Sequence, residues 1–121
     1  MESRIYNYNL ICDKVKQLDS EIRFAGVINQ RGRLVAGGIK EGIKPLSSER
    51  DDEMLFMELA LRVKMRKEFD KQLGGVSFAM ASRGKSMEMS IPIGEDILYV
   101  IGEPSVNYVK IPNAVFEILK E

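Results

Sequence analysis

Few residues in this chain belong to the types that usually carry chemistry, and their spacing limits what each can do. Arg83-Gly84-Lys85-Ser86 contains the Gly-Lys-Ser that closes a phosphate-cradling loop. Such a loop needs another glycine where Ala79 stands, and then a helix whose first N–H groups face the phosphate. From Met87 onward the chain instead alternates apolar and polar, so the quartet reads as a hairpin turn. Glu49, Asp51, Asp52 and Glu53 offer oxygen ligands for a divalent cation, but calcium loops space such ligands around glycine turns. These four begin a helical pattern instead, where the helix dipole favours acids. Arg31, Arg33, Arg83 and Lys85 place positive charge at two separate hairpin tips, which read as solvated turns rather than a nucleic-acid surface.

The strongest restriction is the absence of histidine, which numbers 0. Histidine is the usual general acid–base near neutral pH and the commonest metal ligand. Without it, serine and cysteine triads and the usual zinc sites have no central member. No catalytic residue, cofactor or metal is therefore assigned, and the chain is expected not to be an enzyme. The single cysteine, Cys12, cannot form an internal disulfide and suits a reducing compartment. It is expected to be a small half-buried helix residue, because no base or cation cluster lies near it in sequence.

The positioning elements follow from periodicity. The 121 residues are the size of one ordinary domain, and 45% hydrophobic with 30% charged is a folded composition. Eighteen basic residues balance eighteen acidic ones, which leaves no global field for nucleic acid or an anionic membrane. No apolar run approaches a membrane span. Met1-Glu2-Ser3-Arg4 lacks the apolar core of a secretion signal, so a cytoplasmic location is expected. No internal repeat, linker or low-complexity stretch interrupts the chain.

Tyr8, Ile11, Val15 and Leu18 predict a first helix over 3–19 with one apolar face. Residues 22–28 and 34–39 predict a hairpin around Asn29-Gln30-Arg31-Gly32. A long helix is predicted from an N-cap at Ser48 to a glycine stop at Gly74-Gly75, with acids first and bases last. Three strands are then expected over 76–101, with Pro92 inside the second and the all-apolar Ile97–Ile101 buried on both faces as a central strand. A short helix over 111–119, entered through Pro112, closes the chain.

The long helix is apolar on two sides. Leu55, Phe56, Leu59, Ala60 and Val63 form one stripe; Met54, Met57, Leu61 and Met65 form a roughly opposite one. A small sheet covers one stripe, so the other needs a second copy of the chain or another partner. The methionine stripe is the expected interface, since methionine suits adaptable surfaces. Periodicity alone leaves open which stripe meets the sheet.

The order helix, strand, strand, long helix, three strands, helix resembles the roadblock family, the dynein-light-chain-type members of the profilin-like and longin-like group. The similarity rests on three stretches. Phe24–Ala36 is similar to the family's first hairpin, residues 73–102 to its three-stranded run, and Gly102–Asn107 to its exit into the last helix. The resemblance implies a single roadblock-like domain over 1–121, including the short prokaryotic members. It also implies an α+β fold with a five-stranded antiparallel sheet of order 2-1-5-4-3. The long helix would lie on one face and both terminal helices on the other. Family members commonly form homodimers through the long helix and the third strand, which joins two sheets into one. The interface implied here is Met54, Met57, Leu61 and Met65 with Ser77, Ala79 and Ala81. The implied role is a non-enzymatic protein-interaction module, a scaffold or regulator for a small Ras-like GTPase. The alternative is a small-ligand sensor like PAS and GAF domains, with a pocket near Phe24, Phe78 and Tyr99.

Overall fold

In a computed structural model, which describes residues 5–121, helix α1 (Tyr8–Lys16) begins where the Asn7 side chain accepts a hydrogen bond from the Leu10 N–H. That cap makes α1 shorter than the 3–19 span its periodicity predicts; residues 3 and 4 of that span lie outside the described residues. Strands β1 (Ile22–Ile28) and β2 (Leu34–Ile39) form the first hairpin. Helix α2 (Glu49–Arg66) is capped by Ser48, whose side chain accepts from the Asp51 N–H. Strands β3 (Ala79–Ser82), β4 (Met87–Ile93) and β5 (Asp96–Gly102) follow, and helix α4 (Lys110–Lys120) ends the chain.

Between α2 and β3 the expected single helix is broken. The rod tightens into a 3-10 turn at Lys67–Phe69 and resumes as a short α3 (Asp70–Leu73). Past Arg66 neither piece has a buried residue, so no packing beneath holds the last turns to α-helical pitch. Gly74 ends the rod as expected, with φ 86° and its N–H donating to the Asp70 carbonyl at 2.8 Å.

The sheet is antiparallel with order β2-β1-β5-β4-β3, as the resemblance implies. Ile97 to Val100 are buried in the central strand β5, and only Ile101 is partly open. The two faces are unequal. Under α1 and α4, Ile11, Val15, Val27, Met89, Ile91, Leu98, Val100, Ile111 and Val115 interlock in a thick core. Cys12 belongs to that core and is fully buried, not half-buried as its position beside the α1 stripe suggests. The reason is Gly37 on β2: a Cβ there would lie 2.8 Å from the Cys12 Sγ and 2.3 Å from the Ala25 carbonyl oxygen. The missing side chain, with φ at 73°, lets helix and strand close on each other.

Under α2 the core is thin. Ile28, Phe56 and Tyr99 are buried there, with Phe24, Leu55, Leu59 and Ile101 partly covered around them. Phe24, Phe56 and Tyr99 form a ring triangle with centroids 5.8, 5.9 and 6.1 Å apart, the two contacts to Tyr99 being edge-on. This triangle pins α2 to the sheet. The hairpin tip adds a second pin: a Cβ on Gly32 would meet the Met57 backbone at 2.6 Å.

Candidate interaction surface

The ring triangle answers the question periodicity leaves open. Phe56 and Ala60 are buried, Leu55, Leu59 and Val63 are partly buried, and all belong to one stripe of α2. The opposite stripe points outward: Met54 is 63% exposed, Met57 60%, Leu61 58% and Met65 59%. The exposed row continues past the helix break through Phe69 at 59% and Leu73 at 81%. These two residues sit outside the predicted interface, although their spacing of four from Met65 and from each other carries the signal. Contiguous apolar surface of this kind on a small chain marks an interaction site.

Beside α2 lies the sheet edge made by β3. Ala79 and Ala81 line a cleft of about 170 Å³ together with Leu55, Leu59 and Arg62 of α2. Helix and edge strand thus form one continuous surface. Ser77 is exposed but lies outside the strand, because β3 begins only at Ala79 rather than near 76. The register explains the late start. The Arg83 N–H donates to the Ser86 carbonyl, and Ala81 and Ala79 face Glu88 and Ser90. Continuing that alternation brings Ser77 opposite Pro92, which has no N–H to give, so the ladder stops. The predicted proline problem within β4 is met at this edge.

One polar network stands on the floor of this cleft. Glu88 accepts from the Tyr99 hydroxyl at 2.7 Å and from the Arg83 guanidinium Nε. Burial, then the hydrogen bond to Glu88, drives the Tyr99 phenol far above its ordinary value, so it stays a neutral donor. The hydrogen bond to Glu88 also raises the Arg83 guanidinium above its ordinary value, which keeps it a cation. On the other face, burial followed by the Asp96 hydrogen bond pushes the Tyr8 phenol up to about 12. Burial pushes the Cys12 thiol up to about 11, which makes it a poor nucleophile at neutral pH.

The other candidate residues are placed as follows. Arg83-Gly84-Lys85-Ser86 is the β3–β4 turn, and Glu49, Asp51 and Asp52 fill the first turn of α2. Arg31 and Arg33 sit at the β1–β2 tip, at the opposite end of the sheet from Arg83 and Lys85. The aromatic pocket of the ligand-sensor alternative does not assemble. Phe24 and Tyr99 meet under α2, whereas Phe78 stacks edge-on against Phe116 of α4 at 5.9 Å, on the other face. Residues 77 and 79, on either side of Phe78 in this extended stretch, face the other way.

A five-stranded antiparallel sheet in this order, flanked by terminal helices on one face and a long exposed helix on the other, is the roadblock-type fold. The chain belongs to the family described as "Family of unknown function (DUF6659)", whose model matches residues 1–121. A search of curated proteins by sequence finds no match. Among solved structures, the chain is similar to a Roadblock/LC7 domain from Streptomyces avermitilis, with TM-score 0.71 and 8% identity over 95% of this chain and 93% of that one. It is similar to the gliding protein MglB of Thermus thermophilus, with TM-score 0.74 and 14% identity over 100% of this chain and 89% of that one. It is also similar to a structure described as MglB with tetrameric arrangement, with TM-score 0.74 and 14% identity over 97% of this chain and 88% of that one. At these identities the likeness is one of fold. Among the described residues, no helix is long and apolar enough to cross a membrane.

Proposed function

We propose that this chain is a non-enzymatic, cytoplasmic roadblock-type module, one domain over 1–121, that pairs with itself and serves as a platform or regulator for a small Ras-like GTPase. The observation that carries the reading is the outward row Met54, Met57, Leu61 and Met65, which among the described residues stays 58–63% exposed. Across a twofold axis the same row meets its own copy, and Ala79, Ala81 and Ser77 lie beside it on the same side as the β3 edges approach. Each of these large apolar side chains is already partly covered, so full burial contributes about 1–2 kcal/mol apiece. Contributed by both copies, the row can offset an association cost of roughly 4–15 kcal/mol. The tetrameric arrangement of an MglB with the same fold supports self-association. The GTPase role rests on the family resemblance.

The test of the GTPase role is retention of purified small Ras-like GTPases on the immobilised chain, each loaded with GDP or a non-hydrolysable GTP analogue. Preferential retention in one nucleotide state is expected. No retention in either state, from any GTPase of the same organism, would refute that part. The pairing is tested independently by mass.

A further inference from the structure

A groove of about 620 Å³ runs along β2 on the α2 face of the sheet, away from the β3 edge. Its floor is apolar: Phe24 and Ile101 from the sheet, Phe56 from α2, and Leu34 and Ile39 at either end of β2. Its far wall is acidic, with Glu49, Asp52 and Glu53 projecting from the start of α2. Arg23, at the mouth, is already neutralised by Glu103 at 2.6 Å and held by the Lys44 carbonyl. Among the described residues the three wall acids form no ion pair, and Arg33 is the only other cation lining the groove. Three acids against the one free cation among the described lining residues, Arg33, leave the groove with a surplus of negative charge above an apolar floor.

The rim of the groove is an open strand edge. The Lys40 N–H donates to the Arg23 carbonyl and the Asn29 N–H to the Arg33 carbonyl, so by antiparallel alternation the backbone groups of Leu34 and Ile39 turn outward. The two side chains are each 41% exposed, so the floor is open to solvent at both ends. Unpaired backbone groups beside apolar pockets are what an extended segment recognises when it lies along a sheet edge.

We propose that this groove is a second docking site, for an extended peptide segment of a partner protein whose groove-facing side chains, at every second position, combine apolar residues with lysine or arginine. The apolar side chains drop onto Phe24, Leu34, Ile39 and Phe56, while the basic ones reach the acids of α2. Its volume lies within the range of small-molecule sites, yet its length along a strand and its charged wall fit a chain better than a compact ligand. Met57 is common to this groove and to the outward row of α2, whereas Met54, Leu61 and Met65 lie outside the groove.

The probe is a phage-displayed library of random dodecapeptides selected on the intact protein, with enriched peptides resynthesised and measured by fluorescence anisotropy. Enriched sequences should carry apolar residues and lysine or arginine two or four positions apart, on one face of an extended segment, and bind more weakly as salt rises. Glu53→Lys and Ile39→Asp change exposed side chains and should each weaken binding roughly tenfold or more, with melting curves showing both variants folded. Leu61→Glu, on the opposite stripe, should leave peptide binding unchanged. Enrichment of acidic or patternless peptides would overturn the proposal. So would an absence of enrichment, or binding that both groove variants retain.

Discussion

Replacing Phe56 by alanine should destabilise the fold far more than replacing its neighbour Met57, although both are large apolar residues on the same turn of α2. Phe56 is 7% exposed and contacts both Phe24 and Tyr99 with ring centroids about 6 Å away. Removing a buried phenyl ring costs about 3–5 kcal/mol, as lost transfer energy and as the cavity it leaves. The thin core under α2 holds few other side chains that could move in to fill that cavity. The expected loss corresponds to about 2 M of urea at the unfolding midpoint, or roughly 10–20 °C in melting temperature for a chain of this size. Met57, 60% exposed, should change intrinsic stability by no more than about 0.5 kcal/mol. Its effect should instead depend on protein concentration, growing as the chain is made more concentrated, because it acts on a pairing equilibrium. The assay is urea unfolding followed by circular dichroism at two protein concentrations a hundredfold apart. A Phe56→Ala loss below about 1 kcal/mol would refute the assignment of this stripe to the sheet.

Gly37→Ala should cost at least about 2 kcal/mol, since its φ of 73° and a Cβ 2.3 Å from the Ala25 oxygen oppose any side chain, while Gly84→Ala, in open space, should be near neutral. Paired denaturation curves decide it. Cys12 should resist dithiobis-nitrobenzoate at pH 8 in the native state and react at once in denaturant. Its thiol ionises near 9 when unfolded but only near 11 when folded. Its contribution to stability is therefore complete below pH 9 and lost as pH rises toward 11. A native thiol that titrates near 9 would contradict its burial behind Gly37.

Most of the fold could be read from short-range chemistry. Alternation located β4, the Ser48 cap and the acid-to-base gradient located α2, and the unbroken apolar run Ile97–Ile101 marked the strand that has neighbours on both sides. What could not be read were the consequences of register and approach. That Pro92 falls opposite Ser77 follows only once the β3–β4 turn is known, and it shortens β3. That Cys12 is fully buried depends on a glycine in another element. Phe24, Phe78 and Tyr99 look alike as apolar strand residues, yet their faces are set by pairing that periodicity does not number. The groove along β2 was equally invisible, because its wall and floor come from segments separated in sequence and its acids read locally as helix-start residues.

Central to the account is that the outward row of α2 is covered by a second copy of the chain. Sedimentation equilibrium on the unaltered protein and on Leu61→Glu tests this most directly. The expected result is a particle of two chains for the unaltered protein at micromolar concentration, and a single, still folded chain for the variant. An unaltered protein that stays a single chain up to high concentration would contradict the account, as would a folded Leu61→Glu variant that pairs as tightly as the original.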